Sequence, residues 1–91
     1  MLNKGLKMAE KKIGKVISYY GNISVAAIEL EGSLKIGDKI KIKGATTDFK
    51  QTVDSMQIEH KVVQEAKKGS SIGIRVKDKV RPQDVVFKLT E

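Results

Sequence analysis

The chain has 91 residues, 40% of them hydrophobic, which suffices for one small core and excludes a second domain of comparable size. It has no cysteine, so disulfides, thiolate metal sites and cysteine nucleophiles are excluded. The formal net charge of +7 favours acidic partners, and more than half of the excess lies in residues 1–15, where Glu10 alone offsets five lysines.

The N-terminal segment differs in composition from the rest of the chain. Residues 1–11 are rich in lysine and lack a hydrophobic period, which predicts a flexible basic tail before a single domain at residues 12–91. No hydrophobic run approaches the roughly 20 residues that span a bilayer, so no membrane partner is expected. The N-terminus also lacks the hydrophobic region of a secretory signal, which favours a cytoplasmic location.

The first two strands are predicted on either side of a hairpin turn at Gly21 and Asn22. The strand before the turn covers residues 12–20, where Gly14 indicates a bulge or the close approach of another backbone. The strand after the turn covers residues 23–30, and its side chains alternate between two faces. One of these faces is predicted to consist of Ala26, Ile28 and Leu30.

A Gly37-Asp38 turn leads into a third strand, residues 39–43, in which lysine and isoleucine alternate. Because side chains alternate across a strand, the two isoleucines are predicted to face the core and the three lysines to face solvent. A loop is predicted at residues 44–50. A fourth strand with a bulge follows at residues 51–58.

The last third of the chain has a similar pattern. Residues 59–68 are predicted to form a turn of helix or an irregular crossing, and residues 71–76 a fifth strand with alternate residues facing inward. A second turn precedes a last strand at residues 84–89, in which Val85, Phe87 and Leu89 are aligned and Phe87 is a predicted core residue. Short strands separated by turns predict an all-β fold, a small closed antiparallel β-barrel of six or seven strands.

Motifs for catalysis or cofactor binding are not found in the sequence. Gly32 and Gly37 have the spacing of a phosphate-binding loop, but Asp38 and Lys39 stand where that loop needs lysine and serine or threonine. His60 is the single histidine, without the cysteines of a metal site or an evident residue to orient it as a base. The sequence therefore predicts a protein that is not an enzyme and binds no nucleotide, cofactor or metal.

The exposed lysines form the candidate site. A cationic row on one face contacts a phosphate backbone without discriminating bases, and this row is predicted to consist of Lys39, Lys41, Lys43, Lys50 and Arg75. Phe49 is predicted to contact an unpaired base or a partner, and His60 is a second candidate contact. The alternative is that lysines on an edge strand only prevent aggregation between sheets.

Several turn motifs, taken in chain order, resemble the second domain of elongation factor Tu-type translational GTPases, which is a β-barrel. The matching segments are Gly14-Lys15-Val16, residues 32–40, residues 53–58 and residues 66–74. Residues 46–51 and 55–60 also look like the small stand-alone translation-elongation-factor-like proteins. The same barrel is similar to the C-terminal domain of collagenase-like peptidases implicated in RNA modification.

The resemblance covers roughly residues 12–89 and implies a fold more specifically than a function. It departs from the family pattern at Gln83, where glycine usually precedes the aspartate of the turn. It implies binding without a GTPase switch, with tRNA, ribosomal RNA or a translation-related protein as the expected partner.

The alternative hypothesis is a protein-interaction module that docks onto an enzyme or a translational GTPase without binding nucleic acid. Such a module is expected to expose an apolar patch, predicted around Phe49, Val62 and Val63. The chain is expected to be a monomer or a weak dimer.

Overall fold

The computed structural model describes residues 9–90, whose regular structure consists of antiparallel strands. The strands are β1 (Ala9–Tyr20), β2 (Val25–Leu30), β3 (Leu34–Lys35), β4 (Lys39–Lys43), β5 (Asp48–Thr52), β6 (Met56–Ile58), β7 (Lys61–Val62), β8 (Glu65–Ala66), β9 (Ser71–Arg75) and β10 (Val85–Thr90). Eight of them form one sheet in the order β5-β4-β10-β1-β2-β9-β6-β7, and β3 pairs with β8. Within residues 9–90, no helix has the length and hydropathy that crossing a bilayer requires.

The core is almost entirely aliphatic and lies on one face of the curled eight-stranded sheet. The predicted alternation in the central strands is confirmed, because the side chains with inward phase in β2, β4 and β9 are buried. They are Ala26, Ile28, Leu30, Ile40, Ile42, Ile72 and Ile74. Each buried aliphatic side chain of this size contributes about 1.5–3 kcal/mol through the removal of apolar surface from water.

The predicted closed barrel is not found. The hydrogen-bonded order ends at β5 on one side and at β7 on the other, and no described ladder joins the two edges. The sheet nevertheless curls, because the side chain of Gln51 on β5 reaches the end of β9. Its Nε2 donates to the carbonyl of Arg75 at 2.8 Å, and its Oε1 accepts from the N–H of Lys77 at 2.9 Å. A single side-chain amide thus links strands that a closed barrel would join by a backbone ladder.

Three segments differ from the sequence prediction. β1 begins at Ala9 and pairs with β10 from that residue, so residues 9–11 belong to the sheet, while residues 1–8 of the predicted tail lie outside the described residues. The predicted loop at residues 44–50 contains the start of β5, which pairs with β4 along its whole length. The crossing at residues 59–68 forms the short strands β7 and β8 instead of a helical turn.

The inward face of β10 is the opposite of the predicted one. Val86 is buried in the core, whereas Phe87 lies opposite Lys41 and Lys12 on the outer face of the sheet. The inward positions on either side of Val86 are polar. Asp84 is buried and its carboxylate accepts from the N–H of Arg81 at 2.8 Å, and Lys88 pairs with Asp38 at 3.4 Å. The hydrophobic pattern of this strand therefore indicated the wrong face. The inward positions on either side of Val86 hold Asp84 and Lys88, whose charges are paired or hydrogen-bonded.

Gly14 confirms the close approach that the sequence predicted. The ladder between β1 and β10 shifts register between Lys12 and Gly14, and a Cβ at Gly14 would lie 2.5 Å from the carbonyl oxygen of Glu29. Two similar turns precede β4 and β10, with Gly37 at φ 95° and Gln83 at φ 82°. The departure at Gln83 therefore leaves the turn geometry unchanged and places a glutamine in a conformation that favours glycine.

Candidate functional site

Four members of the predicted row lie on the outer face of β4 and β5, and two of these four have acidic neighbours. Lys41, which is mostly buried, pairs with Glu10 of β1 at 3.2 Å. Lys43 lies directly opposite Asp48 in the ladder between β4 and β5. Opposite charges on neighbouring strands lower the positive potential that a phosphate backbone would meet. Sequence inspection missed Glu10 because it lies 31 residues from Lys41 and joins the face only through β1 and β10.

Two other cations of the row share this face with Lys41 and Lys43, whereas Arg75 does not. Lys39 has the same outward phase in β4, and Lys50 of β5 lies directly opposite Lys41. Both are exposed and line a small cavity of about 240 Å³ that extends to Leu89 of β10. Arg75 ends β9, which in the order of the sheet is separated from β4 by three strands, and it approaches β5 only across the gap that Gln51 bridges. The structure therefore keeps four of the five predicted cations on one face, with Glu10 and Asp48 beside Lys41 and Lys43, and separates Arg75 from them.

Phe49 and His60 are not brought together. Phe49 is half-buried and packs against the core, so its ring does not stand on the cationic face. His60 is exposed in the two-residue turn between β6 and β7, where Glu59 and His60 have φ values of 51° and 67°. The RNA contacts predicted for these residues and for the lysines stay predictions.

The apolar patch predicted around Phe49, Val62 and Val63 is present only at Val62. This side chain is 68% exposed, while Phe49 and Val63 pack against the core. The hairpin between β1 and β2 instead exposes three large apolar side chains, which we call the hairpin patch. They are Ile17 at 42% exposure, Tyr20 at 51% and Ile23 at 57%.

A bulge in β1 produces the hairpin patch. Val16 pairs with Ile28 and Ser18 with Ala27, so Ile17 is the extra residue that opposes no partner. Tyr20 then takes the outer face, and the backbone N–H of Ile23 donates to the carbonyl of Tyr20 at 3.2 Å. Because a one-residue shift exchanges the faces of a strand, alternation along residues 12–20 could not identify which side chains would be exposed.

The outer face beside the hairpin patch is built from small side chains. Ala27 of β2 lies opposite Gly73 of β9, and Ser18 of β1 lies opposite Ala27. A Cβ at Gly73 would already come within 3.4 Å of the Val25 side chain. The side chains in this part of the sheet therefore protrude little, and the hairpin patch lies at its border. Such a flat region allows the close approach of another protein surface.

A groove at the edge of the sheet is the second candidate feature. One side is β5 and the other is the segment of residues 75–81, and the Gln51 amide crosses between them. Two cavities of about 450 Å³ each lie along it. One is lined by residues 51, 52, 54 and 75–77, and the other by residues 46–49, 78, 79 and 81. We call this feature the edge groove. Of the charged residues in the edge groove, only Lys50 and Arg75 belong to the predicted lysine row.

No group of three or more histidine, aspartate or glutamate side chains that could hold a metal ion is found among residues 9–90. Asp84 is the buried carboxylate of the described chain, and its hydrogen bond to Arg81 belongs to the turn before β10. A Cβ at Gly44 would collide with this carboxylate, so the role of both residues is structural.

Comparison with known proteins identifies relatives among proteases. No protein-family model matches the chain. It is 46% identical over 86 residues to a protein of Methanocaldococcus jannaschii described as an uncharacterized protease, a match that covers 93% of this chain and 21% of that protein. A collagenase of Porphyromonas gingivalis is 44% identical over 78 residues, which cover 84% of this chain and 22% of the collagenase. The chain thus spans about a fifth of the length of the curated relatives it matches.

The fold is also that of a solved domain. The C-terminal domain of a Geobacillus thermoleovorans protein described as a U32 peptidase superposes with a TM-score of 0.81 and 18% sequence identity, covering 97% of this chain and 98% of that domain. A selenomethionine variant of the same domain superposes with a TM-score of 0.80. The similarity to the C-terminal domain of collagenase-like peptidases is therefore confirmed.

The resemblance to translation elongation factors is wrong. The relatives found by sequence are a protease and collagenases, and the matching solved domain comes from a peptidase. The motifs that suggested a translation factor are turns such as Gly37-Asp38 and the strands that follow them. Such turns report the backbone path of a small β-domain, which proteins of unrelated function share.

Proposed function

We propose that this chain is a docking domain without catalytic residues of its own, and that it packs against a peptidase part like the one that forms the rest of its relatives. The proposal is supported by the extent of the match, since almost the whole chain corresponds to only a fifth of a longer protease. The other four-fifths of such a protein offer the large surface against which a small domain packs. Interfaces between domains of one chain typically bury about 600–1,500 Å².

The hairpin patch is the observation that carries the proposal. Ile17, Tyr20 and Ile23 are each more than two-fifths exposed on one hairpin, beside a flat region of small side chains. Aromatic and aliphatic side chains of this kind are typical of the centre of an interface, and tyrosine is enriched among the residues that dominate binding energy. We expect the hairpin patch to be covered when the domain is docked.

The charge distribution favours a protein partner over RNA for the outer face of β4. Lys41 has an ion-pair partner in Glu10, and Lys12 of β1, which is separated from β4 by β10, pairs with Glu31 at 3.7 Å. A surface with interspersed charges of both signs gives little of the counterion release that drives binding to nucleic acids. We expect the outer face of β4 to stay in contact with solvent while the hairpin patch makes the specific contact.

The test mixes the 91-residue protein with the Methanocaldococcus jannaschii relative from which the matching segment has been deleted, and measures complex formation by sedimentation velocity. We expect a complex with the shortened relative and none with the intact one, whose own segment occupies the surface. Tyr20→Ser is expected to weaken the complex at least about tenfold, because truncating a central aromatic contact costs about 2 kcal/mol or more. Val62→Ser is the control, since Val62 is even more exposed than Tyr20 but lies outside the hairpin patch.

Three results would contradict the proposal. The first is the absence of a complex at the highest soluble concentration. The second is equal binding to the intact and the shortened relative. In the third, Tyr20→Ser and Val62→Ser have the same effect, which would show that the chain docks through a surface other than the hairpin patch.

A further inference from the structure

The edge groove has an unoccupied strand position between its two sides. Directly after β5, Val53 exchanges hydrogen bonds with the turn before β4, and directly before β5 the carbonyl of Thr47 accepts from the N–H of Gly44 at 2.7 Å. Because the hydrogen-bonding direction alternates along an antiparallel strand, the odd-numbered residues of this segment bond toward β4. The N–H and C=O groups of Asp48, Lys50 and Thr52 therefore point into the groove.

The opposite side of the groove also presents backbone groups. The N–H of Val76 donates to Ser24 next to β2, so the carbonyl of Arg75 and the N–H of Lys77 point away from β2 and into the groove. Both bind the Gln51 amide, at 2.8 Å and 2.9 Å. A side-chain amide that donates to one residue and accepts two residues later makes the same contacts as a peptide group of an added strand. The Gln51 amide thus occupies the place that one peptide group of an added strand would take.

The segment of residues 75–81 is strongly basic, with four basic side chains and one acidic side chain. Arg75, Lys77, Lys79 and Arg81 are exposed at every second position, while Val76 and Val80 anchor the segment in the core. Lys50 on β5 is exposed at the other side of the groove. The carboxylates present are Asp48 and Asp54 next to this edge and Asp78, whose Oδ1 accepts from the N–H of Lys79 at 2.8 Å. Cations remain in excess along the groove.

We propose that the edge groove binds an extended acidic segment of a partner polypeptide, which adds to β5 as a further strand and displaces the Gln51 amide. The backbone of the segment pairs with Lys50 and its neighbours, as in other cases of strand addition. Acidic side chains at alternate positions point outward toward Lys50 and the cations of residues 75–81. The side chains between them point inward and are apolar, because they face Phe49 and Val76.

The backbone groups favour a polypeptide over nucleic acid. β5 presents carbonyl oxygens as well as N–H groups, and the acceptors need N–H donors that a phosphodiester backbone lacks. A second copy of this chain is disfavoured, because its own residues 75–81 and its net charge of +7 would oppose the approach. None of the three residues of the hairpin patch lines either cavity, so the inference does not depend on docking to a peptidase part.

The test uses a fluorescein-labelled octapeptide of alternating glutamate and valine, with binding measured by fluorescence polarisation at low salt. The control peptide carries N-methyl groups on alternate residues, which remove the hydrogen-bond donors along one edge of the strand and leave its charge unchanged. We expect the first peptide to bind and the methylated peptide to bind at least about tenfold more weakly. Backbone amide resonances of Lys50 and Thr52 are expected to shift on titration with the first peptide.

Two variants are expected to change the affinity in opposite directions. Lys77→Glu combined with Lys79→Glu should weaken binding about tenfold, whereas Lys67→Glu with Lys68→Glu, the same charge change outside the groove, should have little effect. Gln51→Ala should strengthen binding severalfold, since the peptide no longer competes with the two hydrogen bonds of the amide.

The proposal is overturned if the two peptides bind equally, because the contact would then be electrostatic only. It is also overturned if no binding is detected at about 1 mM peptide. Displacement of the peptide by an oligothymidylate of matched charge at lower concentration would identify a nucleic-acid site instead. If the protein forms a dimer without peptide and the peptide dissociates it, resonance shifts confined to the dimer contact would identify pairing of two β5 edges instead.

Discussion

The Gln51 bridge gives a sharp prediction about stability. Replacing Gln51 by alanine removes two hydrogen bonds, to the carbonyl of Arg75 and the N–H of Lys77, and leaves both groups open to water. Each bond contributes about 0.5–1.5 kcal/mol, and the penalty for the unpaired groups is reduced because the groove is open. We expect the free energy of unfolding to fall by about 1–2 kcal/mol.

For a domain of this size, that loss corresponds to a decrease in melting temperature of about 5–15 °C, measured by circular dichroism. Gln51→Glu at neutral pH keeps an acceptor for Lys77 but sets a carboxylate oxygen against the carbonyl of Arg75, so it should also be destabilising. Gln64→Ala is the matched control, because Gln64 is exposed in a bend outside the sheet. If Gln51→Ala costs no more than Gln64→Ala, the bridge does not hold the edges of the sheet together.

Two further predictions concern the backbone. Gly14→Ala should lower the free energy of unfolding by more than about 2 kcal/mol, since the new Cβ would lie 2.5 Å from the carbonyl oxygen of Glu29. Gly21→Ala is the control, because its Cβ would meet only the edge of the Tyr19 ring, and urea unfolding of both variants compares them. Gln83→Gly should raise that free energy by about 0.5 kcal/mol, because relief of the positive φ exceeds the added entropy of the unfolded chain; a decrease would contradict the turn geometry.

The sequence predicted the strands whose two faces differ clearly in polarity. In β2, β4 and β9 the inward positions are apolar, so a period of two identifies both the strand and its buried face. β10 was misassigned because Asp84 and Lys88 take inward positions and find partners in Arg81 and Asp38. Local alternation carries no information about such partners, which lie in turns: Arg81 in the turn before β10 and Asp38 in the turn before β4.

The candidate site was less predictable than the fold. The lysines of β4 were visible in the sequence, but the pairing of Lys41 with Glu10 depends on β10 lying between β4 and β1. The hairpin patch depends on the bulge at Ile17, and the edge groove on the long-range bond of Gln51 to Arg75. One signal was available, since the segment of residues 75–81 alternates basic residues with valine or aspartate. The cytoplasmic location and the oligomeric state stay predictions.

The most direct test of the docking function is a nuclear magnetic resonance titration of the ¹⁵N-labelled protein with the shortened Methanocaldococcus jannaschii relative. This measurement detects the weak affinity expected when two parts that are normally joined, at an effective concentration in the millimolar range, are mixed as separate molecules. The account predicts shifts or broadening at the amides of Ile17, Tyr20 and Ile23, with Val62 unaffected. An unchanged spectrum, or changes centred on Val62 and the strands around it, would contradict the account.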